Sequence, residues 1–596
     1  MKSFLKQVLV AVVTACVCVA LLALVLFGVA TGLRNKTPTI KKGSILAFNL
    51  SVNITDSPAG LNPTQVLQDA LEGEGPADSV QLYPILRALE QAATDDRIAG
   101  LHLYGSLTPR GYGSGYGALK ELRAALERFK KSGKPIHAYL VNPTARDYYL
   151  ASVANSIVLN PFGYVLIGGL VSERTFYAGA LNKYSVGVQV VRVGKYKSYV
   201  EPFILDRMSP ENREQTRQLL AAVWDDLVQS VSQDRSFSPG EFQRWVDAEG
   251  AFQAESALAK KLVDKIAYFD EELAALKKLA GQTDPAGLLP QVDLASYTAV
   301  ARKRAPRSAN KIVVVYAEGV IVDGEGGAGQ VGGDSTAREL RKLREDKSVK
   351  AIVLRVNSPG GSATASEVIQ RELKLAKSTK PVVVSMGTVA ASGGYWISAG
   401  ADRIFAEPNT ITGSIGILGM IPNVKELANR HGITWDSVKT GKYADFFHIT
   451  RPKTAEEMAL FQRVIDEGYD KFIQLVAAGR NKTKEAVDAI AQGRVWSGRD
   501  AEKQGLVDEL GGLGEAIAYA ARKARLGSDW SVTEVPREKS LAETLAELLG
   551  GEKRPVTRTD PVTSLIREMG EDLQRLRSLN DPLGVYALMP ETIRIK

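Results

Sequence analysis

The sequence predicts an α/β protein built by tandem duplication and preceded by one membrane-spanning helix. Three observations carry that expectation. Apolar β-branched runs, such as Ile312–Val315 and Ile352–Leu354, alternate with helical patterns such as Ser366–Lys377. This is the order expected of a largely parallel, buried sheet. Residues 145–161 (ARDYYLASVANSIVLNP) align with residues 392–408 (SGGYWISAGADRIFAEP) at an offset of 247. Finally, the 27 positions between Lys6 and Arg34 carry no charge.

Size and composition agree with this reading. A chain of 596 residues is too long for one ordinary core. The net charge of +8 is small for the length and its basic residues are scattered, which speaks against nucleic-acid binding. The two cysteines, Cys16 and Cys18, both lie in the uncharged N-terminal segment. The rest of the chain therefore has neither a disulfide framework nor a cysteine metal site. His102, His137, His431 and His448 are too dispersed for a zinc motif.

The N-terminal segment reads as an uncleaved signal anchor, with a short stub before it, a helix at about 8–30 and a linker to residue 42. About 20 residues cross the hydrocarbon layer. Cleaved signal peptides usually have an apolar stretch of roughly 7–15 residues, shorter than this one. Val13-Thr14-Ala15-Cys16 is a competing lipoprotein-like site, but the chain stays apolar to about Val29. Charge alone leaves orientation poorly set. Lys2 and Lys6 flank one side, and Arg34, Lys36, Lys41 and Lys42 flank the other.

The duplication extends beyond the first aligned pair. The same offset brings Gly194-Lys195-Tyr196 onto Gly441-Lys442-Tyr443. A helix is expected after Ser209-Pro210, with proline at its first position, and another after Thr454, where Glu457 completes a capping-box pattern. LVDKI at 262–266 parallels LVDEL at 506–510. The expected units are 43–300 and 301–530, followed by a helical extension over 531–596 with helices at Leu541–Leu549 and Ser564–Leu579. Across the repeat, Ser392 faces Ala145 and Lys197 faces Ala444. Each half keeps one polar group its sister lacks, which suggests a composite site; ordinary divergence of surface residues is the alternative.

Ser392 sits among small residues, Ala390-Ala391-Ser392-Gly393-Gly394, between the strand at Val382–Val384 and a helical stretch. A hydroxyl at a helix N-terminus meets free N–H groups that favour developing negative charge. A structural strand-to-helix turn would look the same. Asn357-Ser358-Pro359-Gly360-Gly361 follows the adjacent strand and could supply a second oxyanion N–H beside that of Gly393. His448 has no clear acidic orienter nearby, and a surface role suits it better than that of a base. A lysine, with an ordinary pKa of about 10.4, serves as a base near neutrality only when a dry cleft disfavours its charged form. Lys197 lies in the strand-like run Val191–Phe203, with Lys195 as its rival; Lys442, the counterpart of Lys195, suggests a shared structural role for that pair.

The stretches YKSYVEPF (196–203), NSPGG (357–361), AASGGYW (390–396), TGSIGILG (412–419) and GRVWSGRDAEKQGLVDELGG (493–512) resemble those of the signal peptide peptidase A family, also called protease IV, in its long duplicated form. The resemblance spans essentially the whole chain. It implies a Clp protease and crotonase-like fold, a spiral of ββα units present twice. It also implies a nucleophile at Ser392, a base at Lys197, a lysine-orienting serine at Ser414, and oxyanion donors at the backbone of Gly361 and Gly393. No metal or organic cofactor is implied. The implied substrates are peptides, signal peptides above all. The implied setting is the bacterial inner membrane, with the catalytic body on the periplasmic side, lipid contact through the N-terminal helix, and a homo-oligomer, commonly a tetramer. Lys195 beside Lys197 is expected to push the base's pKa down further. Two other classes share features of the sequence: a crotonase-type enzyme acting on acyl thioesters, which would not need Ser392 or an anchor, and a membrane scaffold built on a decayed protease.

Overall fold

The computed structural model describes residues 39–58, 79–284, 286–536 and 586–589. The expected membrane helix, both cysteines and the helices expected at Leu541–Leu549 and Ser564–Leu579 lie outside these. Among the described residues no helix is long and apolar enough to cross a membrane.

The first half is built on a six-stranded sheet. Its order is Lys265–Ile266, Ser156–Leu159, Ile136–Leu140, Ile98–Tyr104, Ser44–Asn49 and Gln291–Asp293, and every neighbouring pair is parallel. The second half repeats the plan. Its main path runs Val495–Ser497, Ile411–Gly413, Val382–Ala391, Val349–Ser358, Lys311–Glu318 and Ser531–Val535, with Arg403–Ala406 and Glu509–Leu510 joined beside Val382–Ala391. Within this sheet Val495–Ser497 pairs antiparallel. The central strands are buried along nearly their whole length, as in VKAIVLRVNS at 349–358. Such strands read as continuous apolar runs because helices cover both faces.

The internal repeat is visible in individual contacts. Tyr148 donates its hydroxyl to Leu262 O, and Tyr395 donates to Leu506 O at 2.8 Å. The Asp264 carboxylate accepts from Ile157 N at 2.8 Å, and Asp508 accepts from Ile404 N at 2.8 Å. Each half also carries a 26-residue helix, Pro210–Arg235 and Ala455–Arg480. The first is capped by Ser209, which accepts from Asn212 N, and the second by the Thr454–Glu457 capping box.

A third sheet joins the halves. Its order is Gln330–Gly332, Val320–Val322, Gly360–Ser362, Tyr586–Leu588, Leu418–Asn423 and Gly187–Arg192. The last pair is antiparallel and sets Arg192 opposite Leu418 and Val191 opposite Gly419. Chain from the first half is thereby delivered to the second.

Charge also crosses the boundary between the halves. Arg355, wholly buried, donates to Asp56 at 2.7 Å and to Glu121 at 2.5 Å. Asn409 donates to Asp226 at 2.9 Å.

Two expectations need correction. Ser531–Val535 is not helical; it is a strand parallel to Lys311–Glu318. Its β-branched alternation (SVTEV) suits the free edge of that sheet, and the charge of the residues that follow obscured the boundary. The run Val191–Phe203 is not one strand. The strand ends at Arg192, Gly194 turns with φ 102°, and short helices follow at Ser198–Val200 and Glu201–Ile204.

Candidate active site

Lys197 leaves the third sheet just after its edge strand. Val193 N donates to Ile417 O at 3.0 Å and Tyr196 N donates to Gln492 O at 2.9 Å, so both ends of the turn are held by the second half. Room for the lysine comes from Gly493, where φ is 75° and a Cβ would lie 2.7 Å from the Lys197 Cβ. The buried Gln215 on the long helix donates to Tyr196 O at 3.1 Å and accepts from Val495 N at 3.2 Å. Glu201, also buried, accepts from Ser209 and Asn212 and ties the turn to the start of that helix.

Ser392 stands where the strand Val382–Ala391 meets the helix Gly393–Ser398. Its backbone has φ 56° and ψ −115°, a strained conformation for a side chain other than glycine. Two bonds hold it there: its N–H donates to Gly413 O at 2.8 Å, and its carbonyl accepts from Trp396 N at 2.8 Å.

The two side chains meet. Lys197 Nζ lies 2.8 Å from Ser392 Oγ, 3.0 Å from Ser414 Oγ and 2.9 Å from Ser414 O. All three residues are buried, at 0% exposure. Among the described residues no carboxylate pairs with Lys197. Burial without a counter-charge pushes the ammonium pKa well below its ordinary value. A neutral amine has two N–H groups and one lone pair. Nζ thus has three oxygen partners, Ser392 Oγ and both oxygens of Ser414, and in its neutral form it could donate to two of them and offer its lone pair to the hydroxyl of a third.

Lys195 does not contribute to that depression, which comes from desolvation alone. Its ammonium rests 5.3 Å from the Tyr196 ring centre, as Lys442 rests 5.6 Å from that of Tyr443. The repeated Gly-Lys-Tyr is a cation–π turn in both halves.

The two glycine turns lie side by side. Gly360 has φ 97°, and a Cβ there would sit 2.6 Å from Gly393 N and 3.0 Å from Ser392 Cβ. Asn357 braces this turn, donating to Glu318 at 3.1 Å and accepting from Val389 N at 3.2 Å. Gly360 and Gly393 therefore approach each other closely beside Ser392. His448 and His431 are exposed, His137 bonds Glu272, and His102 is buried with its pKa pushed down to about 4, chiefly by desolvation. Among the described residues no cluster of three or more metal-type ligands forms.

Gln215, Glu201 and Gly493 were not singled out from the sequence. Glu201 and Gly493 lie inside the quoted motifs, so a signal existed. Gln215 had none, because its helix is mostly polar and its partners are distant in the chain.

The family model for Peptidase family S49 matches this chain twice, at residues 128–283 and 374–527. The Clp protease model matches residues 312–412. Protease 4 of Salmonella typhi is 38% identical over 565 residues, covering 92% of this chain and 90% of that protein. Protease 4 of Haemophilus influenzae is 36% identical over 588 residues, covering 95% and 94%. The chloroplastic serine protease SPPA of Arabidopsis thaliana is 32% identical over 519 residues, covering 86% and 74%. The chain thus belongs to peptidase family S49, as a serine protease with two copies of the family's domain in a mixed α/β frame.

Proposed function

We propose that this serine protease is a membrane-anchored endopeptidase using a Ser392–Lys197 dyad to degrade cleaved signal peptides and other short or unfolded apolar peptides. The observation that carries the proposal is the 2.8 Å approach of Lys197 Nζ to Ser392 Oγ in a site where both residues are wholly buried. Neutral Lys197, oriented by Ser414, takes the Ser392 proton as Oγ attacks the scissile carbonyl. The oxyanion is received by the N–H groups of Gly361 and Gly393. Loss of one such donor typically costs about 3–4 kcal/mol in the transition state. Lys197 then protonates the leaving amine and activates the water that hydrolyses the acyl-enzyme.

In this reading the units are 43–300 and 301–530, each a Clp protease and crotonase-like ββα spiral. The first brings the base and the second the nucleophile. The uncharged segment at about 8–30 holds the protein in the bacterial inner membrane, with the catalytic body on the periplasmic side. The protein works as a homo-oligomer, a tetramer by resemblance, and needs no cofactor.

The test is hydrolysis of a synthetic signal peptide by the wild type, Ser392→Ala and Lys197→Ala. Both variants should lose activity, and a serine-reactive phosphonate should label Ser392 only in the wild type. Full activity in either variant would end the assignment.

A further inference from the structure

The strand that leads to Ser392 falls out of step with its neighbour. Val349–Ser358 and Val382–Ala391 pair in parallel from Ile352 opposite Val382 to Val356 opposite Met386, and the register then jumps to Ser358 opposite Ala390. The nucleophile strand thus carries two extra residues between Met386 and Ala390. Such a bulge breaks the ladder and re-aims the strand beyond it.

Asn357 fills the gap. It is 1% exposed. Its side-chain carbonyl accepts from Val389 N at 3.2 Å, and its amide donates to Glu318 Oε1 at 3.1 Å and to Tyr112 O at 3.4 Å. Its main-chain carbonyl accepts from Gly319 N at 3.0 Å, and its backbone runs directly into Ser358-Pro359-Gly360-Gly361. One side chain therefore ties the glycine turn to the strand that ends at Ser392. The pairing is directional: with Val389 N taking the carbonyl, only the amide is left for Glu318, which accepts.

Glu318 is seated from the first half. It accepts from Ser57 N at 2.7 Å, from Ser57 Oγ at 2.5 Å and from Asp56 N at 3.3 Å. The bulge also abuts the first half. A Cβ on Gly117 would lie 2.9 Å from Gly387 O, and one on Gly115 would lie 2.2 Å from the Thr388 side chain.

The internal repeat separates this arrangement from what the fold requires. Leu50 N donates to Tyr104 O at 2.7 Å, the first half's version of the bond from Gly319 N to Asn357 O. Asn49 stands opposite Tyr104 as Glu318 stands opposite Asn357. There, however, Asn49 accepts from Ser51 N and Tyr104 stacks on His102. The next strand, Ile136–Leu140, follows Ile98–Tyr104 up to Tyr139 opposite Tyr104 with no jump in register. Of the two halves, the one with the carboxylate–amide pair and the bulge is the one that carries Ser392.

We infer that Glu318 and Asn357 are positioning residues for peptide cleavage: Ser57 fixes the Glu318 carboxylate, Glu318 orients the Asn357 amide, and Asn357 holds the glycine turn in register with Ser392. This rests on the dyad reading above. Both residues act through the turn and the strand, and so on turnover and not on peptide binding.

The experiment measures kcat and KM on a fluorogenic apolar peptide for the full-length wild type, Ser392→Ala, Ser57→Ala, Asn357→Asp, and Asn357→Asp combined with Glu318→Gln. Asn357→Asp removes the donor and sets two carboxylates face to face. Its kcat should fall about 10²–10³-fold, the size of a lost oxyanion donor, with KM within about twofold of wild type. Adding Glu318→Gln exchanges the amide and the carboxylate and restores a donor facing an acceptor, so kcat should recover at least about tenfold. Ser57→Ala leaves the second half unaltered and should lower kcat about 3–10-fold at constant KM. Near-wild-type kcat in Asn357→Asp, a loss confined to KM, or a double variant no better than the single one overturns the inference while the dyad stands. Should Asn357→Asp fail to fold, Ser57→Ala decides: a fall in kcat at constant KM supports the inference, and an unchanged kcat overturns it. Full hydrolysis by Ser392→Ala would instead end the dyad reading, and the inference with it.

Discussion

Replacing Lys197 with methionine should abolish peptide cleavage and make the fold less sensitive to pH. Methionine fills a similar volume without a charge. In the native chain, burial lowers the affinity of Lys197 for its proton well below the ordinary value. In the unfolded chain the group titrates near its ordinary pKa of about 10.4. Between the native pKa and that value the unfolded chain binds one more proton than the native chain, so stability rises with pH. For one group the slope is about 1.4 kcal/mol per pH unit. Below both values the contribution is flat and least favourable, and above both it is flat and most favourable. Lys197→Met removes this slope, so the stability difference between wild type and variant should change by about 1.4 kcal/mol per unit across the window. The assay is urea unfolding followed by tryptophan fluorescence at about pH 8, 9 and 10, together with peptide hydrolysis. Loss of a general base alone is worth about 10²–10⁴-fold in rate. Parallel pH dependences for the two proteins would refute the claim that Lys197 is buried without a counter-charge. Retained hydrolysis would refute its role as base.

Other substitutions probe the neighbours. Ser414→Ala removes one of the hydrogen-bond partners at Nζ. It should lower kcat by about 3–10-fold, in line with a net hydrogen bond of about 1 kcal/mol, and shift the acid limb of the pH–rate profile to lower pH, since an acceptor that favours the ammonium is lost. An unchanged profile would count against the orienting role. Gly360→Ala places a Cβ 2.6 Å from Gly393 N at a φ of 97°; kcat should fall by at least about 10², the size of losing one oxyanion donor. Near-wild-type kcat would show that this turn does not shape the acyl site. Arg355→Met leaves Asp56 and Glu121 buried without their shared guanidinium. Denaturant unfolding should show a loss of about 3–5 kcal/mol, and a loss under about 1 kcal/mol would mean that the cluster does little to join the halves.

Much of the frame was legible because its signals are local. Ser209-Pro210 and Thr454…Glu457 announce helix starts through backbone N–H groups that their own side chains satisfy. The buried strands at 312–315 and 352–354 are apolar runs wherever they are read. The repeat could be followed through Tyr148 and Tyr395, whose hydroxyls close the same bond in each half. Where local signals mislead, the reading failed. Val191–Phe203 looked like one strand because its apolar alternation continues past the turn at Gly194. Ser531–Val535 was folded into a helical extension because its partner, Lys311–Glu318, lies more than two hundred residues away in sequence.

The chemical inventory belongs to the sequence alone: a serine between small residues after a strand, glycine turns beside it, and a lysine in a run with aromatics and few charges. What those groups become was decided by tertiary structure. The antiparallel pairing of Gly187–Arg192 with Leu418–Asn423 carries Lys197 across 195 residues of chain to Ser392. The packing of both halves removes water from its ammonium, and the third sheet seats Ala587 against Gly361. Desolvation and long-range strand pairing depend on surfaces contributed by distant segments, so neither is written in the residues flanking any one of them.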